Sequence, residues 1–265
     1  MKHVPLNEYL SDKSNWPKRL LGWEPYSVDR SPARVTQEYD RDRYAPLLSL
    51  NSTEIEDYKI AEFNELNMDQ QDPMFISFGE EVFCTDVRTA RLIWYSLISS
   101  AAGRFATGTI CELGCGYGYN LHLLGGGAYG GEYSQSAVEL GRRLGLAIER
   151  LDYHCPQDYS LIRRGSTVLT VHSIEQMPSA QPFIDNLSRV RSQVREVIHF
   201  EPTFLPERRS FMGMIRNRYN QLIDHNHDLV KLLRDRSDVE ILHFEADVFG
   251  LHPLNSSNLL VWRFR

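Results

Sequence analysis

Residues 108–124 read GTICELGCGYGYNLHLL: a short apolar run, glycines at 114, 116 and 118, then apolar residues at helical spacing. Glycine at alternate positions serves where the backbone must turn left-handed or where another group comes very close to it. A strand that ends in such a turn and opens a helix is the ligand-binding element of parallel α/β sheets, with the positive end of the helix behind the turn. This element alone predicts an α/β chain whose ligand lies beyond the carboxyl ends of its strands.

The rest of the chain keeps the alternation. AYGGEYS (128–134) predicts a second strand, and QSAVELGRRLG (135–145) a second helix with Ser134 as N-cap. LAIERLDY (146–153), STVLTVHS (166–173) and REVIHFEPT (195–203) give three more strands, with the amphipathic QPFIDNLSRVRSQ (181–193) between the last two. Upstream, DVRTARLIWYSLISSA (86–101) predicts a helix closed by Gly103. After Pro206 apolar residues recur at helical spacing as far as Leu233, with a break at DHNHD (224–228) whose histidines are expected in solvent. Two last strands, DVEILHFEADVFG and NLLVWRFR, close the chain. Short strands alternating with helices predict a doubly wound, mostly parallel sheet of Rossmann-like type.

Residues 1 to about 72 differ. They are polar, carry prolines at 5, 17, 25, 32 and 46, and show helical stretches only near 33–44 and 53–66. Such a segment builds no large core of its own. Residues 1–85 are therefore expected to form a helical extension, a lid over the site of a domain spanning 86–265.

A net charge of −6 disfavours a nucleic-acid partner, which rewards clustered Lys and Arg. No run nears the roughly 18 apolar residues of a membrane helix, and MKHVPLNEYL has no apolar core of a signal peptide. A cytoplasmic location and a small-molecule partner are expected, with a homodimer as the assembly to test. Cys84, Cys111, Cys115 and Cys155 lack the paired short spacings of a zinc site, so reduced thiols and no metal are expected.

The glycine turn by itself fits NAD, FAD and S-adenosylmethionine alike. The dinucleotide fingerprint is G-x-G-x-x-G, whereas here the spacing is G-x-G-x-G, and Tyr119 follows it. Glu112, two residues before the first glycine, would repel a pyrophosphate but suits the ammonium and sulfonium of S-adenosylmethionine. Glu132, ending the second strand, is placed to accept from both ribose hydroxyls, a feature NAD sites share. An NAD(P)-dependent oxidoreductase and a non-catalytic nucleoside-binding protein are the alternatives.

ICELGCGYG, then GGEYSQSAVELGRRLG, then LDY after the third strand resemble the class I S-adenosylmethionine-dependent methyltransferase family over roughly residues 86–265. The resemblance implies seven strands ending in an antiparallel hairpin, and S-adenosyl-L-methionine as cofactor. It implies that Glu112, Gly114, Gly116 and Gly118 surround the methionine part, that Glu132 holds the ribose and that Tyr133 flanks the adenine. Asp152 would accept from the adenine amine with Tyr153 beside it, and His172 would lie near the transferable methyl. The family pattern does not specify the N-terminal extension.

Beyond strands four and five, HSIEQMP and HFEPTF bring His172, Glu175, Gln176, His199 or Phe200, and Glu201 around one crevice. Methyl transfer is an in-line displacement, and an acceptor oxygen or nitrogen must present a lone pair. His172 is the expected base. Glu175, Gln176 and Glu201 are the expected acceptor-binding groups, favouring a small polar acceptor such as a sugar or aminoglycoside. HSIEQ and HFEP loosely resemble bacterial methyltransferases of sugars and antibiotic precursors, which points to antibiotic biosynthesis. Arg88 and Arg91, ahead of the first strand, are candidates to reach the cofactor carboxylate.

Overall fold

The computed structural model describes residues 1–11, 16–66 and 73–265. Its first departure from expectation lies near the N-terminus, which holds a small sheet as well as helices. Strands β1 (Lys2–Val4), β2 (Met74–Phe78) and β3 (Glu81–Thr85) pair antiparallel in the order β1-β3-β2. Met74 faces Thr85 and Phe78 faces Glu81 across the two-residue turn Gly79–Glu80. Gly79 has φ 53, the left-handed backbone such a hairpin turn demands.

Between β1 and β2 lie short helices, as the prolines and polar composition predict. These are α1 (Leu6–Ser11), α2 (Trp16–Leu20), α3 (Pro32–Val35) and α4 (Ile55–Leu66). Ser31 caps α3, its hydroxyl accepting from the Arg34 N–H at 3.4 Å. The helix then widens into a π-helix over Thr36–Tyr44. Tyr44, Leu47, Ile55 and Tyr58 pack against Tyr117, Ala137 and Leu140, which docks the segment on the main sheet's flank.

The main sheet contains β4 (Ile110–Leu113), β5 (Tyr129–Glu132), β6 (Ile148–Arg150), β7 (Ser166–Val171), β8 (Val194–Glu201), β9 (Val239–Phe249) and β10 (Ser257–Phe264). Their order is β6-β5-β4-β7-β8-β10-β9, seven strands with β10 antiparallel to both neighbours. The other neighbouring strands pair parallel. Helices α5 (Val87–Phe105), α6 (Tyr119–Leu124), α7 (Gln135–Arg143), α8 (Gln181–Arg189), α9 (Phe211–Leu222) and α10 (Leu229–Arg234) connect and cover them. Gly103 does not end α5. Its backbone is not left-handed, and burial of Ala101 and Ala102 carries the helix on to Phe105.

Alternate residues sort the two faces. Val197, Leu260 and Trp262 meet Phe183, Ile184 and Leu187 of α8 and Leu229, Val230 and Leu233 of α10. Ile198, Phe200 and Val261 meet Ala90, Trp94, Ile98 and Ala101 of α5, with Met74 and Ile76 of the N-terminal hairpin. Each large apolar side chain buried this way stabilises the fold by about 1.5–3 kcal/mol. No helix among the described residues is long and apolar enough to cross a membrane. The chain runs outward from β4 through β5 to β6 on one side and through β7 to β8 on the other. The crevice at that reversal is where open α/β sheets bind ligands.

Candidate active site

A cavity of about 680 Å³ opens at the reversal, within the usual range for small-molecule sites. The turn after β4 forms its floor. Gly114 has φ 77, and a Cβ there would overlap the Ser173 side chain. The turn is held by its own amides. The N–H groups of Gly114 and Cys115 donate to Gly131 O at 2.8 and 3.2 Å, and Gly118 N–H donates to Cys115 O at 2.9 Å. Gly116 N–H donates to Glu132 Oε2 at 2.8 Å. These four amides are spent inside the protein.

Glu112, in β4, is 1% exposed. Its Oε1 accepts from Asn120 Nδ2 at 2.7 Å. Its Oε2 and the Asn120 Oδ1 have no hydrogen-bond partner among the described residues. Burial pushes the Glu112 carboxyl up to about 8, against the pull of Asn120. An ammonium group arriving at Oε2 is the chemistry that would favour the ionised carboxylate there.

On the β5–β6 side the wall is formed by Glu132, Tyr133, Asp152 and Tyr153. Glu132 accepts from Gly116 N–H and, at 2.7 Å, from Ser134 N–H. Burial raises its pKa despite those two amides. A carboxylate has about four acceptor positions, so two are left for a pair of hydroxyls. Ser134 is the N-cap of α7 as expected, accepting from Ala137 N–H at 3.1 Å. Arg150 stacks 4.2 Å from the Tyr133 ring centre, and Tyr153 donates to Leu113 O at 2.7 Å. Asp152 Oδ1 accepts from His154 N–H at 2.9 Å.

On the β7 side the wall carries His172, Glu175 and Gln176. His172 has a left-handed backbone, φ 49, which costs a residue of its type about 1–3 kcal/mol. Its Nδ1 lies 3.2 Å from Glu175 Oε2 and its Nε2 2.6 Å from Ser257 Oγ. Burial alone would lower its pKa, but Glu175 outweighs burial and raises it. For Glu175 burial acts upward, while His172 and His225 bring it down to about 2. His172 thus has both ring nitrogens engaged, and the Trp94 ring meets it edge-on at 5.0 Å.

Three neighbours stand elsewhere than expected. Glu201 is not on the cavity wall. Its oxygens accept from the N–H groups of Ser173, Ile174 and Glu175 at 3.0, 3.2 and 3.3 Å, so it holds the loop that carries His172 and faces no acceptor. His199 lies between Thr170 Oγ1 at 2.8 Å and Trp262 Nε1 at 2.9 Å, and burial drives its pKa down to about 3. It is a neutral core histidine. DHNHD does break the helix, between α9 and α10, but only His227 is exposed; His225 is buried beside Glu175 and Arg30.

The remaining wall comes from the N-terminal segment and includes Tyr39, Arg43, Tyr44, Lys59 and Glu62. Glu62 joins Arg43 Nη2 at 2.8 Å and Lys59 Nζ at 2.7 Å, and Tyr117 Oη donates to it at 3.1 Å. In the wider π-helical turn, residues four to five apart share a face. Asp40 and Tyr44 thereby both reach the main sheet. Asp40 accepts from Ser134 Oγ and Ser136 N–H at 2.7 and 2.8 Å, and a Cβ on Gly116 would come 2.8 Å from Tyr44 Oη. Arg88 and Arg91 do not line the cavity; Arg91 pairs with Glu56 at 3.1 Å. The i,i+3 pair of Lys59 and Glu62 was the one local signal for this cluster, and it is also the signal of an ordinary surface pair.

No protein-family model matches the chain, and a search of curated proteins finds no match. Solved structures do resemble it. The magnesium protoporphyrin IX methyltransferase of Synechocystis PCC 6803 with bound SAH aligns at a TM-score of 0.53 and 14% identity, covering 89% of this chain and 100% of that one. Looser likenesses, on which no argument rests, include the mitomycin 7-O-methyltransferase and the plantazolicin methyltransferase. The first has TM-score 0.42, 16% identity and coverage of 67% and 58%; the second has 0.41, 14%, and 67% and 84%.

Proposed function

We propose that this chain, which has the fold of the class I S-adenosylmethionine-dependent methyltransferases, binds S-adenosyl-L-methionine in the cavity and methylates an oxygen or nitrogen of a small molecule. One observation carries the reading. The sheet's edge turns carboxyl groups toward the ligand, with Glu112 Oε2 unpartnered among the described residues, and four amides of the glycine turn are bonded within the protein. A cationic nucleoside fits that wall, whereas a pyrophosphate would meet the Glu112 carboxyl there.

The residues divide the work along the sheet. Glu112 and Asn120 would hold the ammonium end, with Gly114, Gly116 and Gly118 beneath it. Glu132 would hold the ribose, and Tyr133, Asp152 and Tyr153 would surround the base. Bound there, S-adenosylmethionine supplies an electrophilic methyl group on a sulfonium. The β7 wall then receives the acceptor. His172 could act as a base only by leaving Glu175 or Ser257, so the geometry supports a positioning role for it. With Glu201 turned inward, Glu175 and Gln176 are the remaining carboxylate and amide for an acceptor, and Trp94, Tyr39 and Tyr219 complete the lining. A partly apolar acceptor with one or two polar handles fits this wall better than a sugar or aminoglycoside does.

Calorimetric titration with S-adenosylhomocysteine and with NAD tests the donor. Micromolar binding of the first and none of the second is expected, with the Glu132→Ala variant weakened at least tenfold. Binding of NAD alone would reject the reading. A chain that binds S-adenosylmethionine but moves no methyl to any acceptor in a broad small-molecule panel would instead be a nucleoside-binding protein.

A further inference from the structure

The π-helix over Thr36–Tyr44 does more than fasten the N-terminal segment. π-Helical geometry is rare and occurs frequently at functional sites, because its wider turn re-aims side chains. In an α-helix residues three and four apart are neighbours, and residues five apart diverge. In the π-helix Tyr39 and Tyr44, five apart, share a face, and both line the cavity.

The two rings serve different walls. Tyr39 lies within electrostatic reach of Glu175 and Arg30, on the β7 side. Tyr44 leans across the glycine turn instead. A Cβ on Gly116 would come 2.8 Å from its Oη and 3.4 Å from its Cζ. Gly116 is also the residue whose N–H donates to Glu132 Oε2 at 2.8 Å. The Tyr44 ring is fixed from behind, where it packs with Leu47, Ile55 and Tyr58 and meets Tyr117 edge-on with centres 6.0 Å apart. Burial raises its pKa well above the ordinary phenol value, and the charges of Glu62 and Glu132 add to the rise against Arg43. The phenol therefore keeps its proton and brings one O–H donor to the turn that Glu132 braces. Among the described residues no hydrogen bond engages that hydroxyl. A ligand hydroxyl that donates to Glu132 retains lone pairs for a second donor, and Tyr44 offers one across Gly116.

We infer that Tyr44 is a cofactor-binding residue, its phenol O–H donating to a ribose hydroxyl of S-adenosylmethionine that Glu132 accepts from. The inference rests on the proposed donor. It makes the π-helix the device that closes the ribose between a carboxylate of the sheet and a phenol of the N-terminal segment.

The test is calorimetric titration of the full chain with S-adenosylhomocysteine and with its 2′-deoxy and 3′-deoxy analogues. Tyr44→Phe keeps the ring and loses only the hydroxyl. It should weaken S-adenosylhomocysteine about three- to tenfold, the worth of one neutral hydrogen bond, with the ligand-free Tm within about 1 °C of the wild type. For one of the two deoxy analogues, which lacks the partner oxygen, wild type and variant should agree within about twofold. Tyr39→Phe, on the same helix but toward the β7 wall, should leave S-adenosylhomocysteine binding unchanged. Unchanged affinity of Tyr44→Phe for S-adenosylhomocysteine overturns the inference, as does a loss that persists with both deoxy analogues. An equal loss in Tyr39→Phe overturns it by showing that the segment has only loosened. A ligand-free Tm several degrees lower in Tyr44→Phe overturns it by showing that the hydroxyl is spent inside the fold. In each of these cases the wild type still binds S-adenosylhomocysteine and the donor assignment stands. A wild type that binds none of the three ligands overturns that assignment and the inference together.

Discussion

Glu112 gives the site a measurable proton. Its carboxyl is raised to about 8 by burial, so at pH 7 the ligand-free protein holds a proton there in most molecules. An ammonium placed against Oε2 favours the ionised form, and binding must expel that proton. Affinity for S-adenosylhomocysteine should then rise close to tenfold per pH unit between pH 5 and 7 and level off above about 8. Stability has the opposite slope. An acid whose pKa is higher in the fold than the ordinary 4.5 is paid for in stability as it ionises, so the ligand-free chain weakens as pH climbs from about 4.5 to about 8. The full swing is at most about 5 kcal/mol, from roughly 3.5 units at 1.36 kcal/mol each. Titration at pH 7 in phosphate and in Tris, whose ionisation heats differ widely, counts the expelled proton directly. The wild type should release close to one proton per ligand and Glu112→Gln close to none. Identical binding heats in the two buffers for the wild type, or the same release from the variant, would refute the assignment of Glu112 to the ammonium.

Three further outcomes are expected. Glu201→Gln replaces an acceptor of backbone amides with a donor and should cost about 2 kcal/mol, a fall of roughly 4–8 °C in Tm; an acceptor-binding role would instead leave Tm unchanged and raise KM. Glu175→Gln should lower Tm more at pH 6 than at pH 9. The pKa of His172 is raised in the fold, so its pairing with Glu175 contributes fully below 6.5 and fades as pH passes the raised value. Since 25% of the His172 side chain is exposed, the loss at pH 6 should be about 2 kcal/mol, short of the ~3–5 of a fully buried pair. Asp40→Ala removes the acceptor of Ser134 Oγ and Ser136 N–H, a loss of about 1 kcal/mol. Limited proteolysis should then cut residues 30–62 faster, and unchanged cleavage would mean that Asp40 does not fasten the segment.

What could be read from the chain alone follows from how local each cause is. The strands β4 to β8 are short apolar runs bounded by turn residues, and Ser134 caps α7 through a contact three residues away, so both are written within a window of a few positions. The glycine turn and Glu112 could be read for the same reason. The N-terminal sheet could not, because β1 pairs with a strand 80 residues on. Glu201 shows the limit most clearly. Alternation along β8 puts it at the right end of the sheet, but which group its carboxylate serves depends on the return of the chain after β7, and the amides of Ser173 to Glu175 claim it first.

The same reasoning explains why the charges of the N-terminal segment look ordinary in the sequence. Lys59 and Glu62 lie three apart on a polar helix, where an exposed pair contributes only a few tenths of a kcal/mol and many such pairs do nothing measurable. Their burial is created by Tyr117 and Tyr119, more than 50 positions along the chain, and by Arg43 from the π-helical turn. Once the segment docks, Arg43, Lys59 and Glu62 line the same cavity as the carboxyl groups of the sheet edge. Neither half alone encloses the cavity, since residues of both line it. Loosening the segment should therefore weaken any ligand held in the cavity, whatever acceptor the β7 wall receives.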